Sequence, residues 1–159
     1  MKKCIMCGGR ELTHATDFVD YSGVALVEAD VITCKKCGER YEGFPALENL
    51  SKVIATTIAR REERLQPAEV RFLRTYLGYS SKDLAAFLGV TPETVSRWES
   101  KTSPMEMQLA TEKLLRLMAL NDKPISDYGL DAAGVKDARP KATQPHFRQK
   151  GGSWQVQLA

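Results

Sequence analysis

The chain has no apolar run approaching the ~18–20 residues that a bilayer-spanning helix requires, which argues against a helical membrane protein. Its start, Met1-Lys2-Lys3-Cys4, lacks the apolar core of a secretory signal, so the expected compartment is the cytoplasm. No Ser/His/Asp set, carboxylate pair or phosphate-binding glycine loop stands out, and the expectation is a non-enzymatic protein. Histidine occurs only twice, as His14 and His146, both expected at the surface. Charge of one sign is also scarce: a formal net charge of +3 over 159 residues names no partner, so the placement of charge has to carry the argument. Acidic side chains are missing from Ala138 onward, where Arg139, Lys141, Arg148 and Lys150 accumulate. The remaining composition, 43% hydrophobic and 27% charged, is that of a globular protein of one medium domain or two small ones.

The chain has four cysteines, arranged as two copies of one pattern: Cys4-Ile5-Met6-Cys7-Gly8 and Cys34-Lys35-Lys36-Cys37-Gly38. A reducing compartment disfavours disulfides. Two CxxC pairs a few tens of residues apart match the ligand spacing of a tetrahedral zinc site. Glycine after each pair can adopt positive φ, letting the backbone curl and turn its N–H groups toward the sulfurs. The cofactor expected is one structural Zn2+ bound by Cys4, Cys7, Cys34 and Cys37. Apart from this duplication no internal repeat is visible.

Four segments follow: a CxxC/CxxC zinc domain over 1–44, a connecting helix over 45–65, a helix-turn-helix domain over 66–120 and a basic, partly irregular tail over 121–159. Between the cysteine pairs, Phe18 to Val27 is rich in β-branched and aromatic residues around Ser22-Gly23, which predicts a hairpin or small sheet. From Pro45 the period becomes helical. Leu47, Leu50, Ile54 and Ile58 share one face with Val53 beside them, and Arg60-Arg61-Glu62-Glu63-Arg64 is expected to continue the helix as a solvated charged face.

Residues 66 to about 120 predict four successive helices. Pro67 opens the first, with Val70, Leu73 and Leu77 as its buried stripe and Gly78 as its stop. Ser80 with Asp83 caps the second, which runs to Gly89. Thr91 caps the third, with Pro92 in its first turn. Ser103-Pro104-Met105-Glu106 reads as a capping box opening a fourth that contains Leu109, Leu114 and Leu117. In the tail, Pro124 to Tyr128 predicts one helical turn. Trp154 to Leu158 alternates at period two, as a strand does, so the tail is either a basic arm or a docking strand.

The stretch Ser81 to Glu99 carries the functional signal. Two short helices meet at Gly89, with Ala85 small at their crossing and Leu84, Leu88, Val90, Val95 and Trp98 as the apolar wedge. The second helix of such a unit enters the major groove of double-stranded DNA. With Val95 and Trp98 turned inward, Pro92, Glu93, Thr94, Ser96 and Arg97 are left for DNA. Arg97 has the planar fork that holds guanine O6 and N7 together. Glu93 is suited to cytosine N4 or to the helix N-terminus, whereas Thr94, Ser81 and Lys82 are phosphate-positioning candidates. Glu99 reads as structural.

Residues 67–120 resemble the Cro/Xre-type helix-turn-helix domain in Leu84-Ala85, Gly89-Val90-Thr91 and Val95-Ser96-Arg97-Trp98-Glu99. Together with the two CxxCG knuckles, residues 1 to about 120 resemble the YgiT-type zinc-finger/helix-turn-helix family, which includes antitoxins. The fold class expected is therefore α+β in two domains, a small zinc-ribbon-like β domain followed by an all-α helix-turn-helix domain. The resemblance implies a homodimer on a palindromic operator, repression that is often autoregulatory, Arg97 as base reader and Glu93 at a second base-contacting position. Alternatives of other classes stay open: an antitoxin that binds a toxin protein through its zinc domain, and an iron or redox protein that uses the same duplicated knuckle. The attached helix-turn-helix argues against the last.

Overall fold

The computed structural model describes residues 2–124 and 146–157. The chain is α+β in two parts: a small antiparallel sheet carrying the four cysteines, then a helical region. Strands β1 (Leu12–Tyr21), β2 (Ala25–Cys34) and β3 (Arg40–Gly43) lie in the order β1-β2-β3. The hairpin expected between the cysteine pairs is β1–β2, in register from Leu12↔Cys34 to Tyr21↔Ala25. Its turn needs two left-handed residues, and Ser22 and Gly23 take φ values of 57° and 72°. The Asp20 carboxylate accepts the Gly23 N–H at 3.0 Å, fastening that turn.

This register places both knuckles at one end of the sheet and the turn at the other, roughly 30 Å away at about 3.3 Å per residue. The sheet's own core is slight: Val19, Ala29 and Val31, with Phe44 against them. Its turn end instead joins the helical core. Tyr21 meets Phe44 and Phe72 edge-on, with ring centroids at 5.3 and 6.2 Å, and its hydroxyl lies 3.0 Å from that of Ser51.

The helices are α1 (Leu47–Arg60), α2 (Pro67–Tyr76), α3 (Ser81–Leu88), α4 (Pro92–Trp98) and α5 (Leu109–Asn121). Their starts follow local chemistry. Pro67 sits at the first position of α2, and Gln66 and Glu69 bond reciprocally across its first turn. Ser80 and Asp83 form the capping box of α3. The Thr91 hydroxyl accepts the Thr94 N–H at 3.3 Å to open α4. Gly78 and Gly89, at φ 79° and 66°, end α2 and α3. Helix α1 lies against α5 and α2, and its buried Ile54, Ala55, Ile58 and Ala59 belong to the same core as Leu73, Leu84, Val95 and Leu115.

Three expectations are corrected. The charged run does not prolong α1, which ends at Arg60; its arginines are exposed, as expected, but Arg61 and Arg64 also turn their guanidinium groups onto buried carboxylates. Arg61 donates to buried Glu69, and Arg64 Nε donates to buried Glu112 at 2.5 Å. The Leu65 N–H and the Arg116 guanidinium converge on the same Glu112 carboxylate, at 3.1 Å and 2.7 Å. Arg116 also binds the Arg61 and Glu63 carbonyls, so the connector is tied down by ions that a charge pattern alone assigns to solvent.

Ser103 does not open a helix. The Ser103 N–H is taken by the Ser100 hydroxyl and the Met105 N–H by the Arg97 carbonyl. This folds residues 100–105 back onto the end of α4, buries Met107, and delays α5 until Leu109. The inward stripe of α5 consequently falls on Glu112, Leu115, Met118 and Ala119, leaving Leu109 and Leu117 about half exposed, at 52% and 55%. On α1, Leu47 and Val53 are exposed and only Ile54 and Ile58 of the expected stripe are fully buried.

Strands β4 (His146–Lys150) and β5 (Ser153–Gln157) form a separate hairpin around Gly151-Gly152, both at positive φ. The period-two segment coincides with β5 as far as Gln157. The expected turn over Pro124–Tyr128 and the basic stretch from Ala138 to 145 lie outside the described residues, apart from Pro124, as does Leu158. No helix among the described residues is long and apolar enough to cross a membrane.

Candidate metal centre and nucleic-acid interface

The two knuckles are built alike. In the first, the Cys4 N–H donates to the Gly9 carbonyl at 2.8 Å and the Gly8 N–H to the Cys4 carbonyl at 3.0 Å. In the second, the Cys34 N–H donates to the Glu39 carbonyl at 2.9 Å and the Gly38 N–H to the Cys34 carbonyl at 2.8 Å. Gly8 and Gly38 stand at φ 68° and 74°, the left-handed geometry that lets the chain curl under its own sulfurs. A Cβ on Gly9 would sit 3.3 Å from the sulfurs of both Cys7 and Cys34, so the loop closes tightly over the cluster.

All four sulfurs lie within 4.8 Å of one another, with Cys4–Cys37 and Cys7–Cys34 separations of 3.6 Å. A tetrahedral ion with metal–sulfur distances of about 2.3 Å requires sulfur–sulfur edges of about 3.8 Å, so the donor set fits such an ion. Disulfide bonding would require about 2.05 Å. Cys4 and Cys34 are buried, Cys7 is half-buried and Cys37 is exposed.

The Tyr41 hydroxyl, 3.1 Å away, is the main cause that lowers the Cys4 thiol to about 6. The backbone N–H groups of Cys7 and Met6 and the Cys37 thiol assist against the effect of burial. Cys37 goes the other way, to about 12: the Glu39 N–H favours its thiolate, but the hydrogen bonds with Cys7, burial, and the bonds with Cys4 and Cys34 outweigh it. Four sulfurs this close cannot all be anionic without a cation between them, and such a cation displaces the retained proton.

The α3–α4 unit has the expected geometry. Leu84, Ala85 and Val95 are 1% exposed or less and Trp98 is 5%, so the wedge is closed, with Leu88 and Val90 half-buried at its rim. On α4, Pro92, Glu93, Ser96 and Arg97 are exposed, and Thr94 is half-buried with its hydroxyl 3.2 Å from that of Thr91. Glu93, Ser96 and Arg97 stand at i, i+3 and i+4 and therefore share one face. The Glu93 carboxylate is held below its usual range by its own backbone N–H, the Thr91 hydroxyl and the nearby Arg97 charge, so it lies over the N-terminus of α4. Ser81 and Lys82 occupy the first turn of α3, Ser81 half-buried and Lys82 exposed.

Two contributors are not evident in the sequence. Tyr41 lies on β3 opposite Ile32, with no motif of its own. Arg74 is a buried residue of α2 whose guanidinium grips Glu99 through Nε at 2.6 Å and Nη2 at 3.0 Å and donates to the Tyr79 carbonyl at 2.7 Å. Glu99 is thus structural, as its position suggested, anchoring the C-terminal end of α4 to α2.

Residues 70–119 match the family model for helix-turn-helix (HTH_3), a span that runs from α2 through nearly all of α5. No curated protein and no solved structure matches the chain. The matched region supports a DNA-binding regulator, and the cysteine cluster ahead of it is a candidate metal centre.

Proposed function

We propose that this protein is a sequence-specific transcription regulator. In this reading it is a cytoplasmic, non-enzymatic repressor that binds a palindromic operator as a homodimer and carries one structural Zn2+ on Cys4, Cys7, Cys34 and Cys37. The observation that carries the reading is α4 itself. Its apolar side is sealed by Val95 and Trp98 while Glu93, Ser96 and Arg97 project together on the exposed side, within a span that matches the helix-turn-helix family. With α4 in the major groove, the Arg97 fork reads guanine O6 and N7. Glu93, anchored over the start of α4, holds its charge beside Arg97 and accepts from cytosine N4 where the groove presents one. Lys82, Ser81 and Thr94 meet phosphates, and Pro92 and Ser96 contact the groove wall.

Zinc is the ion favoured by a four-thiolate set in a chain with a helix-turn-helix, and it supplies folding free energy to a sheet whose own core is only three buried residues. Cysteine knuckles ahead of a helix-turn-helix also support membership of the YgiT-type family. The domain limits that go with it are 1–44 for the zinc domain, 45–65 for the connector, 66–120 for the reading domain and 121–159 for the tail. One observation favours an antitoxin role in addition: Phe18 and Leu26, diagonal neighbours on one face of the β1–β2 hairpin, are 65% and 71% exposed, an apolar pair available to a protein partner. An iron site uses the same donor set, and elemental analysis with visible absorption separates it from zinc.

The test is selection of bound duplexes from a random-sequence pool by wild type and Arg97→Ala in parallel. A palindrome with half-sites about one helical turn apart is expected, and the variant relaxes choice at a guanine by ~1–3 kcal/mol. Failure of the folded, metal-loaded protein to enrich any sequence overturns the regulator reading.

A further inference from the structure

The two knuckles superpose in pattern but differ in one partner. In the second, the N–H of the residue after the first cysteine, Lys35, donates to the backbone carbonyl of Glu11 at 3.0 Å. The equivalent N–H in the first knuckle belongs to Ile5, and it donates to a side chain, the Tyr41 hydroxyl, at 3.1 Å. The Met6 N–H approaches the same oxygen at 3.4 Å, and the Cys4 sulfur lies 3.1 Å from it. A phenol has one proton and two lone pairs. With both lone pairs facing N–H donors, the single proton is directed to the Cys4 sulfur.

We propose that Tyr41 is a positioning residue of the metal centre, its hydroxyl fixing the first knuckle and donating to the Cys4 sulfur in place of the backbone partner that the second knuckle has. The inference rests on the reading that the four cysteines hold a metal ion. Physically, the tip residues of the first knuckle, Ile5 and Met6, are 76% and 70% exposed and have little packing to hold them. Strand β3 supplies the brace, which places the Cys4 side of the cluster under a hydroxyl and leaves Cys37 as its solvent-facing corner. Partners of this kind outside the ligand set are worth about 10- to 100-fold in metal affinity.

The experiment uses the full chain loaded with Co2+ as a spectroscopic stand-in, together with zinc competition against a chromophoric chelator. Wild type is compared with Tyr41→Phe, and Tyr21→Phe, which loses a hydroxyl contact at the other end of the sheet, is the control. Tyr41→Phe is expected to lose zinc affinity about 10- to 100-fold. Its sulfur-to-cobalt charge-transfer band moves to lower energy, because a sulfur relieved of a donated hydrogen bond gives up charge more readily. Tyr21→Phe leaves the band in place. A ring-fluorinated tyrosine at position 41, whose more acidic hydroxyl donates more strongly, moves the band the opposite way and keeps the test available should the Phe variant fold poorly. Affinity and band unchanged in Tyr41→Phe overturn the proposal, as does an affinity loss with no band shift in either substituted protein. A wild-type chain that takes up no cobalt overturns the metal reading itself, a result distinct from the other two.

Discussion

The ion pair between Arg74 and Glu99 ties the reading helix to the body of the protein, and its removal has a calculable consequence. Both side chains are about nine-tenths buried, and the guanidinium meets the carboxylate through two nitrogens. Glu99→Ala leaves Arg74 charged and buried, with the Tyr79 carbonyl as the remaining partner of its side chain among the described residues. Breaking a buried pair by removing one member costs ~3–5 kcal/mol. Against a total stability of ~5–15 kcal/mol, that is about a fifth or more of the whole. With a urea slope of ~2 kcal/mol/M, the midpoint falls by ~2 M. Replacing both residues by apolar ones, Arg74→Met with Glu99→Leu, removes the two desolvation costs together and is expected to return within ~1–2 kcal/mol of wild type. The assay is urea unfolding followed by Trp98 fluorescence in a Trp154→Phe background, since those are the two tryptophans of the chain and Trp98 is buried beside the pair. A loss below ~1 kcal/mol for Glu99→Ala, or a double variant no better than the single one, would refute the reasoning.

Removing the metal with a chelator is expected to weaken the strand signal in circular dichroism while most helical signal persists, because the sheet has only a three-residue core of its own and joins the larger helical core at its turn end, away from the cysteines; simultaneous collapse of both signals would count against it. Acid should weaken the connector clasp. Burial raises the Glu112 carboxyl, but hydrogen bonds from Arg64, Arg116 and the Leu65 N–H outweigh it and hold the folded value below the usual range. A depressed folded value means the contribution is complete above the unfolded value of about 4.3 and is lost as pH falls through the folded one. Stability measured from pH 7 to pH 3 should therefore fall less steeply in Glu112→Gln, though from a lower start; equal slopes would exclude Glu112 as the group responsible.

What was legible in the sequence is what neighbouring residues settle among themselves. Ser80 with Asp83, Thr91 before Pro92 and Gly89 after Leu88 each complete their chemistry within a few positions, so α3 and α4 start and stop where those residues say. The duplicated CxxCG is equally local, and the register of β1 and β2 needs only their length and the Ser22-Gly23 turn to bring its copies to one end. The alternation of apolar residues likewise sufficed to turn Val95 and Trp98 inward and Arg97 outward. Local signals failed where a distant group competed for the same backbone or charge. Ser103 to Glu106 has the composition of a helix start, but the Arg97 carbonyl and Ser100 hydroxyl claim its N–H groups first. Arg61 and Arg64 are exposed as their charge pattern suggests, but nothing in their spacing shows that buried Glu69 and Glu112 are brought beside them. Tyr41 faces Cys4 only because β3 returns along β2. Hydrogen bonds between residues close in the chain are written in their spacing, whereas a buried charge or hydroxyl takes whichever partner the packed fold presents, and that choice belongs to the tertiary structure alone.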